Sequence, residues 1–428
     1  MKLISTKQIA LFSGLFLIAS LAFFQFLNQF GNLSNSSGPL YFVYQASSFL
    51  NGRLDLPFEQ IRLDLTMYKG KLYAYWSPLV SVLMLPLVGL FKSPAEFPYR
   101  IFAMVLGAIA SALYLVLALS IFKLNKRNLH QKLLLALAAS WGSSNIIFSM
   151  VANHWFVGQL AANVMLTIAI IILISRERTR KNVRAVLGFC FFALAILGRN
   201  HIVFTFPFFL YLVISDDSFR LEGPGHFIRR YLKAIRDNYV LVLLVCLPVI
   251  TIIFMIALYN YLRFDDFLFK GIELSNMRRT SRELTDQHGL VNFKYLFRNI
   301  YVTLLRPPGA GLIDGFYRDE GFSIFLQSSF LLSIFFVRST PFSKDFLIAG
   351  LIGVSCCSLF VLFWVGSGYR QFGARYLFDS FPVLMAILIF AEPRIKNRML
   401  LALTMISILL NVFGCFYFTN SFRQYNLF

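Results

Sequence analysis

The sequence is poor in charge and in cysteine. Only 14% of its 428 residues are charged, and 20 acidic residues stand against 40 basic ones. All five cysteines lie within apolar runs, and they form no CxxC pair: Cys190, Cys246, Cys356, Cys357 and Cys415. This distribution argues against a disulfide framework or a thiolate metal site and favours buried thiols.

The sequence also lacks the common catalytic motifs. It has no P-loop, no Gly-rich dinucleotide motif in a suitable context, no Ser/His/Asp spacing, no cluster of metal ligands and no tandem repeat. Nucleotide-dependent enzymes, triad hydrolases and metalloenzymes therefore find no support in local motifs.

Apolar length is what the sequence has instead. It is 58% hydrophobic with a mean hydropathy of +0.67, and several apolar runs approach the ~20 residues that span a bilayer as a helix. The runs lie near residues 8–28, 79–91, 98–122, 133–150, 156–175, 185–214, 239–261, 322–337, 346–365, 376–391 and 399–418. We predict an all-α polytopic membrane protein that forms one integrated domain over residues 1–428.

Lys and Arg residues cluster in short segments between these runs, where the positive-inside rule places them. The clusters are Lys2 and Lys7; Lys123, Lys126, Arg127 and Lys132; Arg176, Arg178, Arg180, Lys181 and Arg184; Arg229, Arg230, Lys233 and Arg236; Arg338 and Lys344; and Arg394, Lys396 and Arg398. We attribute the net charge of +20 to membrane topology and expect no nucleic-acid partner.

All these clusters reach the cytoplasmic side if two conditions hold. The run 79–91 must not cross the bilayer. The run 185–214 must form a pair of short helices that reaches the outer side and returns to the cytoplasmic side. The second run is interrupted at Gly198, Arg199 and Asn200, and three prolines bracket the first: Pro78, Pro86 and Pro94. Such breaks are typical of short or interrupted membrane helices.

The predicted result is about 11 transmembrane helices, with a retained first span, a cytoplasmic N-terminus and a C-terminus outside. Two large loops, about 28–97 and 262–321, face outward. Three tryptophans fall at predicted outer interfaces, as an aromatic belt would place them: Trp76, Trp155 and Trp364.

The outer face is also where the acidic candidates lie. Asp64 precedes a turn and an apolar segment, so it lies beside the membrane surface and is a candidate general base. A solvated loop aspartate is the alternative, and Asp55 and Glu59 of the same loop remain open as the base.

Basic side chains at this face are candidate phosphate ligands. Arg370 and Arg375 lie five residues apart between two apolar runs, and a guanidinium matches phosphate oxygens, although snorkelling is the alternative. Arg199 interrupts an apolar run, either as a site residue or as a cap of the hairpin. His154, beside Trp155, is either a catalytic histidine or a satisfied interfacial one.

Four segments occur in order along the chain: FLNGRLDLPFEQIRLDLTMYKGKLYAYWSPLVSVLMLPL, ASWGSSNIIFSMVANHWFVGQ, LYNYLRFDDFLFKGIE and WVGSGYRQFGARYLFDSFPVL. Together they resemble the GT-C class of integral membrane glycosyltransferases, which includes protein O-mannosyltransferases and the lipid A aminoarabinose transferase. The chain departs from many members because no Asp or Glu precedes Asp55.

The resemblance implies inverting sugar transfer from a polyprenyl-phosphate-sugar donor to a lipid, glycan or protein acceptor. The reaction would take place on the extracytoplasmic side of the inner membrane. Asp64 matches the carboxylate that serves as base or positions the acceptor, and the implied substrate-binding residues are His154, Arg199, Arg263, Arg370, Arg375 and Tyr376. Membrane lipids are further partners; no cofactor is predicted, and a divalent metal stays open.

Two other functions remain open at this point. The chain could be a transporter or flippase of lipid-linked saccharides, although such proteins usually place polar sites near the midplane and often contain repeats. It could also be a non-catalytic GT-C-like membrane subunit.

Overall fold

The computed structural model describes residues 5–31, 39–58, 62–175, 181–215, 227–268, 270–277, 279–308, 321–337, 344–368 and 371–424. These residues are mostly helical. The α-helices are α1 Thr6–Phe30, α2 Tyr41–Leu50, α3 Leu79–Val88, α4 Tyr99–Asn125, α5 Leu129–Trp141, α6 Ser144–Val151, α7 His154–Ile174, α8 Lys181–Gly198, α9 Phe206–Ile214, α10 Phe227–Asp237, α11 Tyr239–Phe264, α12 Lys270–Glu273, α13 Arg279–His288, α14 Leu296–Ile300, α15 Ile324–Gln327, α16 Lys344–Leu362, α17 Phe381–Ala391 and α18 Asn397–Gln424. Two strands, β1 Leu65–Tyr68 and β2 Lys71–Ala74, form an antiparallel hairpin.

Within the described residues, eight helical segments are long and apolar enough to cross a membrane. They are α1, α4, α5 together with α6, α7, α8, α11, α16 and α18. This confirms a helical, multi-pass architecture. The predicted number of about 11 spans depends on shorter apolar segments, which length and composition alone do not assign.

Both conditions of the predicted topology have a structural counterpart. Helix α3 has 10 residues, so it is about 15 Å long, roughly half the hydrocarbon thickness of a bilayer. The run 185–214 divides into α8, a 3-10 segment at Asn200–Thr205 and α9. The break falls at Gly198 to Asn200, as the sequence predicts.

The predicted outer loops are folded rather than irregular, and they contain strands that an all-α description omits. The first contains α2, the β-hairpin and α3, and the second contains α12, α13 and α14. Thr66 of β1 in the first segment forms a bridge with Ser275 in the second. Val291 of the second segment also forms a bridge with Trp364, just after α16. The two segments therefore associate into one structure, here called the cap, over one end of the helices.

Helix α7 forms the centre of the bundle. It packs against α4, α6, α8 and α17, and most of its side chains are buried. Small residues permit this close packing: a Cβ built on Gly198 would lie 3.0 Å from the Cβ of Ala162 in α7. By contrast, α1 and α11 expose most of their apolar surface, as expected of helices that face lipid.

Ion pairs join the helix ends opposite the cap. Lys132 at the start of α5 is buried and donates a 2.7 Å hydrogen bond to Glu392, directly after α17. Arg230 of α10 pairs with Asp345 at the start of α16 at 2.9 Å. Many of the basic residues used in the charge argument belong to these ends, so the basic segments and the cap lie at opposite ends of the bundle.

Labelling of single cysteines tests whether α4 spans the membrane. Lys92 and Arg127 are exposed and flank α4, whose 27 residues extend about 40 Å. We expect an impermeant thiol reagent applied outside intact cells to label Lys92→Cys, and Arg127→Cys only after permeabilisation. The parent chain, whose five cysteines are buried or half-buried, gives the background, and labelling of both positions from one side contradicts the topology.

Candidate functional site

A cavity of about 380 Å3 lies between the cap and the end of the helical bundle. Its polar lining comes from the cap, through Asp64, Tyr75 and Arg298, and from the helix ends, through Arg199, His201, Arg375 and Tyr376. The cap also supplies an apolar wall, through Ile272, Met277, Leu284 and Leu290. The cavity therefore combines charged groups with an apolar surface.

Trp76, Trp155 and Trp364 also line this cavity. These are the three tryptophans predicted at outer interfaces. Around the cavity they contact neighbouring aromatic rings, and Trp155 also contacts the Arg375 guanidinium. Trp76 lies 4.5 Å from the His154 ring and 5.5 Å from the Tyr41 ring, measured between ring centroids.

Asp64 is held at the start of the hairpin in an unusual backbone conformation. Its φ is +66°, a region that side-chain-bearing residues adopt sparingly. Its N–H donates to the carbonyl of Asn276 at 2.9 Å, and the carbonyl of Leu65 accepts from the N–H of Asn276 at 2.7 Å. The cap therefore fixes the backbone that carries this carboxylate.

One oxygen of the Asp64 carboxylate is buried without a hydrogen bond in the described part of the chain. Its Oδ2 has no hydrogen-bond partner among the described residues. The nearest cationic candidate is Nε2 of buried His154, 3.6 Å away, which is beyond hydrogen-bonding distance. The phenol of Tyr75 also faces this region, and burial, together with the charge of Asp64, keeps its pKa well above the ordinary value. Tyr75 is thus a neutral phenol beside a charged carboxylate.

Arg375 is buried, and aromatic rings surround it. Its guanidinium carbon lies 5.3 Å from the Trp155 ring centroid and 4.7 Å from that of Tyr376. Nη2 lies 3.4 Å from the Tyr376 hydroxyl, while Nε and Nη1 have no partner among the described residues. A buried guanidinium with unsatisfied donors is a binding group for an anion.

Helix α7 holds the segment that carries Arg375. Nε2 of Gln159 donates to the Arg375 carbonyl at 2.9 Å, and Nδ2 of Asn163, one turn later, donates to the Phe378 carbonyl at 3.1 Å. Gly373 has a φ of +78°, and a Cβ there would lie 1.7 Å from the Gln327 side chain. The glycine is therefore required for the turn into Arg375.

Arg199 and His201 share one buried carboxylate, that of Asp379. Nε of Arg199 lies 3.3 Å from Oδ1, Nε2 of His201 lies 2.8 Å from Oδ2, and Gln159 donates to Oδ1 at 2.8 Å. Asp379 has no exposed side-chain area. Nη2 of Arg199 is buried without a hydrogen-bond partner among the described residues, and the guanidinium carbon lies 5.7 Å from the Tyr376 ring centroid.

Asp379 and His201 were not predicted from the sequence. Asp379 lies in the run 376–391, and an acidic residue inside an apolar membrane segment is a functional candidate in its own right. His201 follows Arg199 by two residues at the same break. The sequence therefore contained a signal for each residue. It could not show their contact, which depends on how α7, α8 and α17 pack.

The structure separates the predicted site residues into groups. Asp64, Arg199, Arg375 and Tyr376 line the cavity, and His154 lies directly behind Asp64. Glu59 and Arg370 lie outside the described residues. Their predicted roles as base and ligand, like those of the cavity residues, remain predictions.

Arg263 lies away from the cavity and already has its partners. It donates to the carbonyls of Tyr259 and Ala74 and to Oδ1 of Asn260, and it stacks 3.7 Å from the Tyr259 ring centroid. It joins α11 to β2. Asp55 likewise pairs with Arg53 at 2.5 Å, and this hydrogen bond lowers the pKa of Asp55.

Comparisons with protein-family models, with curated proteins and with solved structures found no match for this chain. In the part of the chain that the structure describes, no three His, Cys, Asp or Glu side chains could together hold a metal ion. The fold is that of a multi-pass helical membrane protein, and the cavity lined by charged side chains lies at one end of its bundle.

Replacing Arg375 tests whether the cavity is built for a ligand rather than for stability. We expect Arg375→Met to stabilise the unliganded protein by about 1–2 kcal/mol, because it removes buried donors that lack partners. The measurement is the apparent melting temperature in detergent, which should rise.

Arg263→Met is the matched control for this substitution. It removes donors that are in use, so we expect the melting temperature to fall, by an amount that corresponds to about 2 kcal/mol. A fall of equal size in both variants would show that Arg375 is a structural arginine.

Proposed function

We propose that this protein is a GT-C-type glycosyltransferase that transfers a sugar from a polyprenyl-phosphate-linked donor to an acceptor, with inversion at the anomeric carbon. The observation that carries the proposal is the charge arrangement of the cavity. The side chains of Asp64, Arg199 and Arg375 line the same cavity, and each also has a buried polar atom without a hydrogen-bond partner among the described residues.

The reaction needs few groups because a phosphate is already a good leaving group. Arg199 and Arg375 bind the donor phosphate and stabilise the negative charge that grows on it in the transition state. Asp64 accepts the proton of the acceptor hydroxyl, or orients that hydroxyl, while it attacks the anomeric carbon. The apolar wall of the cap suits the lipid portion of the donor.

The active face is extracytoplasmic in this proposal. The basic helix ends lie opposite the cavity, and the positive-inside rule assigns such ends to the cytoplasm. A lipid-linked donor and an acceptor outside the cytoplasmic membrane would then meet under the cap.

The cavity favours transfer over the alternatives. A transporter site is expected near the membrane midplane, whereas Asp64 lies in the cap, Arg199 follows the end of α8 and Arg375 precedes the start of α17. A non-catalytic subunit has no need for buried charged groups that lack partners, since each costs stability.

A reconstituted transfer assay with labelled polyprenyl-phosphate sugars and candidate acceptors tests the proposal. We expect Asp64→Asn to lower kcat/KM by about 10²-fold or more, as the loss of a general base does. Asp55→Asn is the control, because Asp55 is paired with Arg53 away from the cavity wall, and it should retain most activity. Transfer that survives Asp64→Asn unchanged would exclude Asp64 as the base.

A further inference from the structure

The pair formed by His201 and Asp379 has no role in the reaction described so far. Nε2 of His201 lies 2.8 Å from Asp379, and the imidazole stacks on Phe360 with 5.8 Å between ring centroids. The side chain lines the cavity and is 15% exposed. Because Nε2 faces Asp379, Nδ1 is the ring nitrogen left for a ligand, and it has no hydrogen-bond partner among the described residues.

A carboxylate behind a histidine has two known effects. It fixes the ring orientation and tautomer, and it stabilises the imidazolium when the second nitrogen takes up a proton. Here Gln159 and Arg199 bind the other oxygen of Asp379, so the carboxylate itself cannot rotate away. Asp379 is in this sense a positioning residue for His201.

The other charged or titratable groups around His201 are few. Arg199 shares its carboxylate. The same cavity is lined by Asp64, Tyr75, Arg298, Arg375 and Tyr376. On α16, Cys357 lies near Asp379 and Arg199. The arginines are positively charged and the two carboxylates negatively charged, so an anionic ligand at this wall adds negative charge beside the imidazole.

We propose that His201, held by Asp379, is a second acid–base group of the cavity and donates its Nδ1 proton to the phosphate of a lipid-linked phosphodiester as that phosphate departs. The proposal rests on the proposed function. The acceptor oxygen bonds to the anomeric carbon, and the bond from that carbon to the phosphate oxygen breaks. The electron pair stays on phosphate, Asp64 takes the acceptor proton, and His201 becomes neutral.

The proton has a suitable destination. A phosphate monoester, the product, takes up its second proton near pH 6, so the phosphate becomes a better proton acceptor as it departs. Proton donation at that stage therefore assists the departure.

Binding of a phosphodiester as a function of pH tests the assignment without an acceptor. The probe is the methyl diester of decaprenyl phosphate, which carries one charge throughout pH 5.5–8. The full-length protein in detergent supplies the signal, since three of its four tryptophans line the cavity. We expect the wild type to bind about tenfold more tightly at pH 5.5 than at pH 8, as a hydrogen bond from a charged donor is gained.

His201→Gln should abolish that pH dependence and leave affinity at pH 8 within about threefold. His130→Gln, at an exposed histidine, is the matched control and should keep it. Asp379→Asn should move the pH dependence to lower pH. If Asp379→Asn does not fold, the comparison of wild type with His201→Gln is sufficient to test the role of His201. Equal pH dependence in wild type and His201→Gln overturns this inference only, whereas a wild type that binds no diester at any pH overturns the proposed function as well.

Discussion

The buried carboxylate of Asp379 joins the helix ends that form the cavity. A fully buried charge is stable only with partners, and here they come from α7, through Gln159, and from the break after α8, through Arg199 and His201. Arg199 binds this carboxylate through Nε and also lines the cavity, so the structural anchor and the proposed phosphate ligand belong to one side chain.

The cap depends on a second set of contacts. A two-stranded hairpin is marginal by itself, and this one is stabilised by its bridge to Ser275, by the hydrogen bond from Thr66 to the Gly271 carbonyl at 2.6 Å, and by Arg263 on the Ala74 carbonyl. These contacts hold Asp64 at a positive φ. Backbone strain of this kind persists where surrounding structure enforces it, and it is common at functional sites.

Stability and function are therefore in tension at one wall of the cavity. Arg263, which joins α11 to β2, uses its guanidinium nitrogens in hydrogen bonds. Arg375 and Asp64 instead keep buried polar atoms without hydrogen-bond partners among the described residues. A protein selected for stability alone would satisfy or remove such atoms. Such atoms occur elsewhere in the described residues as well, but those of Asp64, Arg199 and Arg375 belong to charged side chains that line one cavity next to an apolar wall, which is the physical basis for the ligand proposed there.

The sequence by itself determined the helical membrane architecture, the break at Gly198 and the short α3, because apolar length, prolines and the distribution of Lys and Arg are local signals. It also placed Asp64, Arg199 and Arg375 at one end of the bundle. Only the tertiary structure decided that Arg263 of α11 binds the Ala74 carbonyl of β2 and that His201 meets Asp379. Hydrophobicity reports that a segment is buried in lipid or protein, but the rotation of each helix, and hence which side chains meet, is set by packing between helices distant in sequence.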